Sequence, residues 1–299
     1  MSYSVFDELK NIPGLHIKEN EIMANHCSFR IGGTVDALVE PSTEEELLKV
    51  IALLRERETR YKLIGLATNL IFSDGHIPMV IVKTSSLCKV SSNDSLLYAQ
   101  CGCPISRAAI HAYNNGLTGF EFAHGIPGSI GGGVYMNAGA YGGEIASVLE
   151  STIYADSDGN IIKIDNEEHM FSYRKSIFSG SDKLILSCMF RLEHGNRDDI
   201  KCIMADLMER RKSKQPLEYP SAGSMFKRPE GHFAGKLIED SGLKGYSIGG
   251  AQVSEKHAGF IVNTGNATSD DVLRLVEHIK TVVFNNFGVS LECEPEIVK

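Results

Sequence analysis

The sequence predicts an α+β fold, and three observations lead to it. Amphipathic helical stretches and β-rich runs alternate without a repeating unit along the 299 residues. The strands in the middle of the chain follow one another through a hairpin-like turn rather than through crossover helices. The composition, 42% hydrophobic and 23% charged, is that of an ordinary globular protein with enough chain to bury a sizeable core.

The elements follow in order. IGGTVDALVEP (31–41) opens a strand, helix, strand unit. The helix is STEEELLKVIALLRER (42–57), with a capping box between Ser42 and Glu45 and apolar residues at Leu47, Val50, Ile51 and Leu54. KLIGL (62–66) and PMVIVKT (78–84) read as strands flanking a loop. A second helix begins at Pro104, suited to a first helical turn, and stops at Asn114-Asn115-Gly116. STIYADSDGNIIKI (151–164) reads as a hairpin turning at Ser157-Asp158-Gly159, and LILSCMFRL (184–192) as a further strand. A polar boundary at 193–199 precedes a helix over 198–212. The last helix, SDDVLRLVEHIKTVVFNNFG, has an acidic first turn and Gly288 past its end.

Bulk features narrow the function. A net charge of -8 without a dense Lys/Arg block argues against a nucleic-acid partner. The seven cysteines are odd in number and contain no C-x-x-C pair, and none of the ten histidines are paired at H-x-x-x-H. No metal site is expected from them. The first 14 residues lack a basic start and an apolar core, and no run approaches eighteen apolar residues, so a cytoplasmic protein without membrane association is expected.

The stretch EFAHGIPGSIGGGVYMNAGAYGGEI (121–145) is unusual: eight of the nineteen residues from Gly125 to Gly143 are glycine. Glycine is the costliest residue to order, and single glycines ordinarily serve turns. A cluster also allows backbone N–H groups to approach phosphate oxygens. The dinucleotide fingerprint G-x-G-x-x-G after a strand is absent, so a Rossmann site is not indicated. A second small-residue loop, IGLATNLIFSDG (64–75), follows a strand and offers Gly65, Ala67, Thr68 and Asn69. Two such loops could hold the two ends of a doubly phosphorylated nucleotide cofactor.

These segments resemble those of the UDP-N-acetylenolpyruvoylglucosamine reductase (MurB) family, a flavoenzyme family of peptidoglycan precursor synthesis. NHCSFRIGGTVDALVEP (25–41), IGLATNL, GFEFAHGIPGSIGGGVYMNAGAYGGEI, YRKS (173–176), YPSAGSMFKRP (219–229) and GGAQVSEKHAGFIVN (249–263) each resemble a family block, in the family's order. The resemblance runs from about residue 20 to the end and is to the shorter type, without the extra loop that closes over substrate. It implies an FAD-binding unit of the vanillyl-alcohol-oxidase (PCMH) type in two subdomains, 1–85 and 86–197. A substrate-binding C-terminal α+β domain would occupy 198–299.

The activity implied is NADPH-dependent reduction of UDP-N-acetylglucosamine enolpyruvate to UDP-N-acetylmuramate through non-covalently bound FAD. The cofactor residues implied are Gly65, Ala67, Thr68, Asn69 and Leu70 in the first loop. In the second they are Gly125, Ile126, Pro127, Gly128, Ser129, Gly132, Asn137, Ala138 and Gly139. Hydride addition to the vinyl terminus builds negative charge on the adjacent carbon and its carboxylate, so the site needs a cation and a proton donor there. Arg174 matches the family arginine at the carboxylate, a task that suits a permanently charged bidentate fork. Ser224 matches the proton donor. The family's C-terminal acid falls on Glu294 by ungapped counting from Gly288, whereas a two-residue shift would select Glu296. If the tail is a regular strand, both share a face with Glu292. Tyr173, Lys214 and Arg228 are expected at the substrate, the last two at its pyrophosphate. Ala67 replaces a usual family glycine and would be strained if that position requires a positive φ. Competing readings are an oxidase on the same flavin fold, in which Arg174 and Ser224 have no obvious role, and a flavin-binding protein that has lost its acid.

Overall fold

A computed structural model describes residues 5–299. Two compact units emerge, each assembled from segments distant in sequence. Among the described residues the first comprises 5–18, 37–66 and 79–210, the second 19–36, 67–78 and 211–299.

The first unit contains the expected strand, helix, strand arrangement. The four-stranded sheet has the order His16–Glu19, Thr34–Glu40, His76–Lys83, Tyr61–Ile64. Thr34–Glu40 and His76–Lys83 begin in segments of the second unit. Tyr61–Ile64 runs parallel to the neighbouring strand, pairing Tyr61 with Val80 and Ile64 with Lys83. The helix Glu44–Glu56 buries Leu47, Val50, Ile51 and Leu54, the four positions that its period selects. Each buried side chain of this size contributes about 1.5–3 kcal/mol. Its cap lies one residue later than the sequence suggests. Thr43, with an extended backbone, accepts the Glu46 N–H at 3.1 Å, and the Ser42 N–H donates to Glu46 Oε2 at 2.7 Å. Two adjacent hydroxyls preceded the apolar stripe, and residue pattern alone did not separate them.

A five-stranded antiparallel sheet follows, in the order Ile161–Asp165, Leu149–Ala155, Leu184–Arg191, Leu96–Gln100, Val90–Asn93. The first two strands form the expected hairpin, with Gly159 in the left-handed region at φ 85°. The helix Ile105–Asn114 starts after Pro104, which occupies the N-cap. Its Ile105, Ala108, Ala109 and Ala112 enter the core.

The second unit holds a four-stranded antiparallel sheet, Ser221–Ser224, Phe260–Asn263, Ala251–Val253, Ser247–Ile248. The helix Ser269–Phe287 has a capping box between Thr268 and Asp271 and ends at Gly288, φ 69°. A second cap comes from a distant segment: the Asp74 carboxylate accepts the Ser269 N–H at 3.0 Å and its hydroxyl at 2.8 Å. The final strand, Glu296–Val298, pairs in parallel with Leu70–Phe72. Among the described residues no helix is long and apolar enough to cross a membrane.

The cap assignment predicts that Thr43→Ala lowers unfolding free energy by about 1 kcal/mol, with Ser42→Ala costing less, because only Thr43 supplies a side-chain acceptor to the helix N-terminus. Urea unfolding of the two variants measures the difference.

Candidate active site

The glycine-rich loop lies wholly in the first unit, and its geometry shows where the missing side chains would have been. A Cβ on Gly65 would fall 2.0 Å from Ser129 Oγ and 2.9 Å from Ser129 Cβ, so rotating the serine would not relieve the clash. A Cβ on Gly143 would enter the Phe122 ring at 2.5 Å, and one on Gly131 would lie 3.0 Å from Cys101 Cβ. These glycines are small because other protein atoms press against them.

The amides around the short helix Ile130–Tyr135 are similarly engaged. Ile130 and Gly131 donate to the carbonyls of Cys103 and Cys101 at 2.8 and 2.7 Å, and Gly132 donates to the capping Ser129 Oγ at 3.3 Å. That helix start is therefore satisfied internally rather than open as a phosphate nest. Burial pushes the Cys101 thiol up to about 12 and the Cys103 thiol up to about 11, which leaves both as neutral packing groups. At the other end of the loop, His124 Nδ1 is enclosed and has no hydrogen-bond partner among the described residues. Burial lowers the basicity of this imidazole. An enclosed polar atom without a protein partner fits a site that receives a polar group of a ligand.

Asn137, buried and at φ 46°, uses both ends of its side chain. Its amide donates to Ser172 O at 3.3 Å and its carbonyl accepts the Ala146 N–H at 3.0 Å. The first of these bonds anchors the YRKS turn. Ser172 and Lys175 form an isolated antiparallel bridge, with Arg174 between them at φ 56°. Ser176 Oγ and Ser179 Oγ both donate to Tyr135 O, at 2.8 and 2.7 Å. The Arg174 guanidinium lies 5.4 Å from the centroid of the Tyr173 ring, and Tyr173 is 56% exposed. Thus the glycine loop, through Asn137 and Tyr135, positions an arginine that sequence order places some forty residues away.

His169 closes the base of this turn. It is fully buried, stacked on Phe171 at 4.9 Å between ring centroids. Its Nδ1 faces the Asp165 carbonyl at 2.9 Å, so that nitrogen carries the hydrogen, and Nε2 accepts from Thr152 Oγ1 at 2.7 Å. Burial lowers its pKa below the ordinary histidine value despite the backbone acceptors.

The second unit brings together Ser224, Glu294 and the first small-residue loop. Ser224 ends the strand Ser221–Ser224, opposite Phe260, after an irregularity in pairing where Gly223 adopts φ 78°. Such a bulge re-aims the following side chain. The neighbouring Met225 carbonyl accepts the Glu294 N–H at 3.0 Å. The expected regular strand through Glu292, Glu294 and Glu296 does not form. Pro295 sits in a bend, and Glu296 begins a separate strand whose N–H donates to Asn69 O at 3.1 Å. Glu292 pairs with Lys227 at the surface. Of the three acids, Glu294 is the one whose N–H bonds to Met225, the residue next to Ser224.

Ala67 is buried at φ 48°, the positive value its sequence position put in question. Thr68, Asn69 and Leu70 follow it in this unit, whereas Gly65 belongs to the first. Gly33 of the FRIGG segment has its own constraint: a Cβ there would overlap Gly75 O at 1.5 Å. Arg228 stacks on Phe233 at 4.5 Å, and Lys214 ends the helix Arg197–Lys214; both are exposed. An open hollow of about 430 Å³ is lined by Arg30, Tyr219, Pro220 and the turn Asn263-Thr264-Gly265-Asn266. Sequence reading missed the pairing of the tail with the first loop. The β-branched pair in EIVK was the available signal, but three residues are too few to identify a partner.

Residues 35–165 match the model of an FAD binding domain. A glucose dehydrogenase, wild-type Phl p 4.0202, shares the fold with a TM-score of 0.51 at 12% identity, over 74% of this chain and 51% of its own. The family match and the fold together define an FAD-binding domain with the vanillyl-alcohol-oxidase (PCMH) type of fold. Residues 215–298 match the C-terminal domain of UDP-N-acetylenolpyruvoylglucosamine reductase. The reductase of that name from Caldanaerobacter subterraneus subsp. tengcongensis is 50% identical over 100% of this chain and 99% of its own length. The crystal structure of UDP-N-acetylenolpyruvylglucosamine reductase (MurB) from Thermus caldophilus superposes with a TM-score of 0.81 at 31% identity, covering 95% of this chain and 100% of its own. The chain belongs to the UDP-N-acetylenolpyruvoylglucosamine reductase family, and is a FAD-containing oxidoreductase of peptidoglycan precursor synthesis.

Two outcomes test this geometry. Gly65→Ala should destabilise the flavin-free protein by about 1–3 kcal/mol, the usual cost of overpacking. Gly132→Ala should cost less, because its added Cβ would meet Ser129 Oγ at an ordinary 3.4 Å. Thermal melts of both flavin-free variants compare them. Stability should also fall on acidification. His169 has a lowered folded pKa, so its contribution is present above the unfolded value of about 6.5 and is lost as pH falls from there through the folded value. His169→Gln should flatten that part of the slope in urea midpoints measured between pH 7.5 and 5.5, all three figures being roughly set by the ordinary histidine range.

Proposed function

We propose that the chain is an NADPH-dependent reductase converting UDP-N-acetylglucosamine enolpyruvate to UDP-N-acetylmuramate, with FAD bound non-covalently, in the cytoplasm. The observation that carries the reading is the pairing in the second unit, where the Glu294 N–H is bonded to the residue next to Ser224. It is supported by the family membership and by the locked turn that holds Arg174. The division into 1–85, 86–197 and 198–299 belongs to the same reading, and the two family matches fall on either side of its second boundary.

FAD would be held by Gly65, Ala67, Thr68, Asn69 and Leu70, and by the backbone of Gly125, Ile126, Pro127, Gly128 and Gly139; Gly132, whose amide is taken by Ser129 Oγ, would contribute only by leaving space. Ser129, Asn137 and Ala138 are buried, so they would contribute through the loop they shape. The bound flavin supplies a two-electron carrier between NADPH and the enolpyruvyl carbon. Arg174 binds the substrate carboxylate with its fork and stabilises charge accumulating there. Ser224 holds the proton that reaches the carbon next to the new methyl group, so hydride and proton together saturate the double bond. Glu294 is the catalytic acid, which stabilises the same developing charge by a hydrogen bond from its carboxyl while the single proton added to carbon comes from Ser224. Tyr173 lies beneath the Arg174 guanidinium and shapes the carboxylate subsite, while Lys214 and Arg228 meet the diphosphate of the UDP group.

Rapid mixing separates the half-reactions. Ser224→Ala should keep flavin reduction by NADPH within about threefold and slow reoxidation by the enolpyruvyl substrate by on the order of 10²-fold or more, the scale of positioned proton transfer. Glu294→Gln should slow the same half-reaction, and Glu296→Gln should not. Equal loss of both half-reactions in Ser224→Ala would contradict its role, and a slow Glu296→Gln with a normal Glu294→Gln would move the acid to Glu296.

A further inference from the structure

We infer that Asn69 is a positioning residue for the catalytic acid, gripping the backbone of Glu294 from the first small-residue loop. The inference rests on the proposed role of Glu294 and goes beyond it by naming what holds that residue in place.

Glu294 lies on an irregular segment, so no ladder of strand hydrogen bonds fixes it. Cys293 makes one isolated antiparallel bridge with Phe226, and the Glu294 N–H donates to Met225 O at 3.0 Å. The next residue is Pro295, which has no N–H and restricts the residue before it to extended conformations. Between the amides of Glu294 and Glu296 the backbone therefore offers no N–H, only the carbonyls of Glu294 and Pro295. Asn69 Nδ2 donates to the Glu294 carbonyl at 3.4 Å. The same residue accepts the Glu296 N–H on its own carbonyl at 3.1 Å.

One asparagine thus spans the proline on both sides. Beyond it the two chains zip together in parallel, Leu70 with Glu296, Ile71 with Ile297 and Phe72 with Val298, and the Ser73 N–H closes on Val298 O at 2.9 Å. Since side chains alternate along a strand, a one-residue slip of this tail would carry the preceding segment with it. Asn69 fixes the register at the end nearest the acid. The loop has little freedom to accommodate a displaced tail, because Ala67, two residues earlier, is buried in a left-handed conformation. The Met225 contact ties the acid to the serine strand, and the Asn69 contact ties it to the loop expected to carry flavin.

A double-mutant cycle with amide exchange tests the inference. Asn69→Ala removes the side-chain donor and leaves the backbone carbonyl. In holoenzyme it should slow flavin reoxidation by substrate roughly 10- to 100-fold, the scale of a small misplacement of a reacting group. In the Glu294→Gln background, with both variants saturated with FAD so that any loss of cofactor is offset, the same change should have little further effect on reoxidation, because Asn69 acts on that step through Glu294. Exchange of the tail amides, read on a peptide covering 291–299, should accelerate in Asn69→Ala compared with wild type, both measured flavin-free. The exchange comparison holds even if the variant binds flavin poorly. Unchanged protection of the tail, or equal slowing in both backgrounds, would overturn the inference. If Glu294→Gln alone turns over normally, the assignment of the acid fails instead, and accelerated exchange in Asn69→Ala would still show the clamp.

Discussion

The structure depends on backbone segments lying too close for side chains to fit between them. Gly65 against Ser129, Gly131 against Cys101 and Gly143 against Phe122 bring strand ends and loop into direct contact. Each contact excludes a single methyl group, and those at Gly131 and Gly143 give a packing reason for two glycines of a run that is otherwise entropically expensive. The contacts have a consequence at a distance. From this closely packed loop, Asn137 and Tyr135 hold the turn bearing Arg174, whose own backbone is left-handed. An arginine serves as a directional anion clamp only if the chain beneath it cannot drift.

The second unit solves the corresponding problem with hydrogen bonds. A bulge at Gly223 aims the residue that follows, the Met225 carbonyl takes the Glu294 amide, and Asn69 takes the other side of the acid across Pro295. Asp74 adds a further tie by capping the helix Ser269–Phe287. The short segment 67–78 therefore holds the C-terminal residues through a strand pairing and a helix cap at once. That density of ties is consistent with a segment expected to carry cofactor contacts while supporting the acid.

How much of this was legible beforehand varied with the type of signal. Periodicity located the helix Glu44–Glu56 through its buried face, and Gly288 marked the end of the last helix, because local sequence dictates both features. The cap at Thr43 rather than Ser42 escaped, since adjacent hydroxyls are equivalent to a pattern. The glycine run was recognisable as exceptional, but whether its glycines face a ligand or the protein depends on contacts between residues as distant as Gly65 and Ser129. Alternation could not separate Glu294 from Glu296 for the same reason: it assumes a regular strand, and the bend at Pro295 breaks it. The backbone partners of the two acids, Met225 for Glu294 and Asn69 for both, are long-range in sequence.

The central claim is that this chain reduces an enolpyruvyl ether with electrons taken from its flavin. The most direct measurement is anaerobic: reduce the holoenzyme with one equivalent of NADPH, add UDP-N-acetylglucosamine enolpyruvate, and follow the visible flavin band while assaying the product. The account predicts prompt return of the oxidised flavin spectrum with one equivalent of the lactyl ether formed. A flavin that accepts electrons from NADPH and then remains reduced until air is admitted would contradict it.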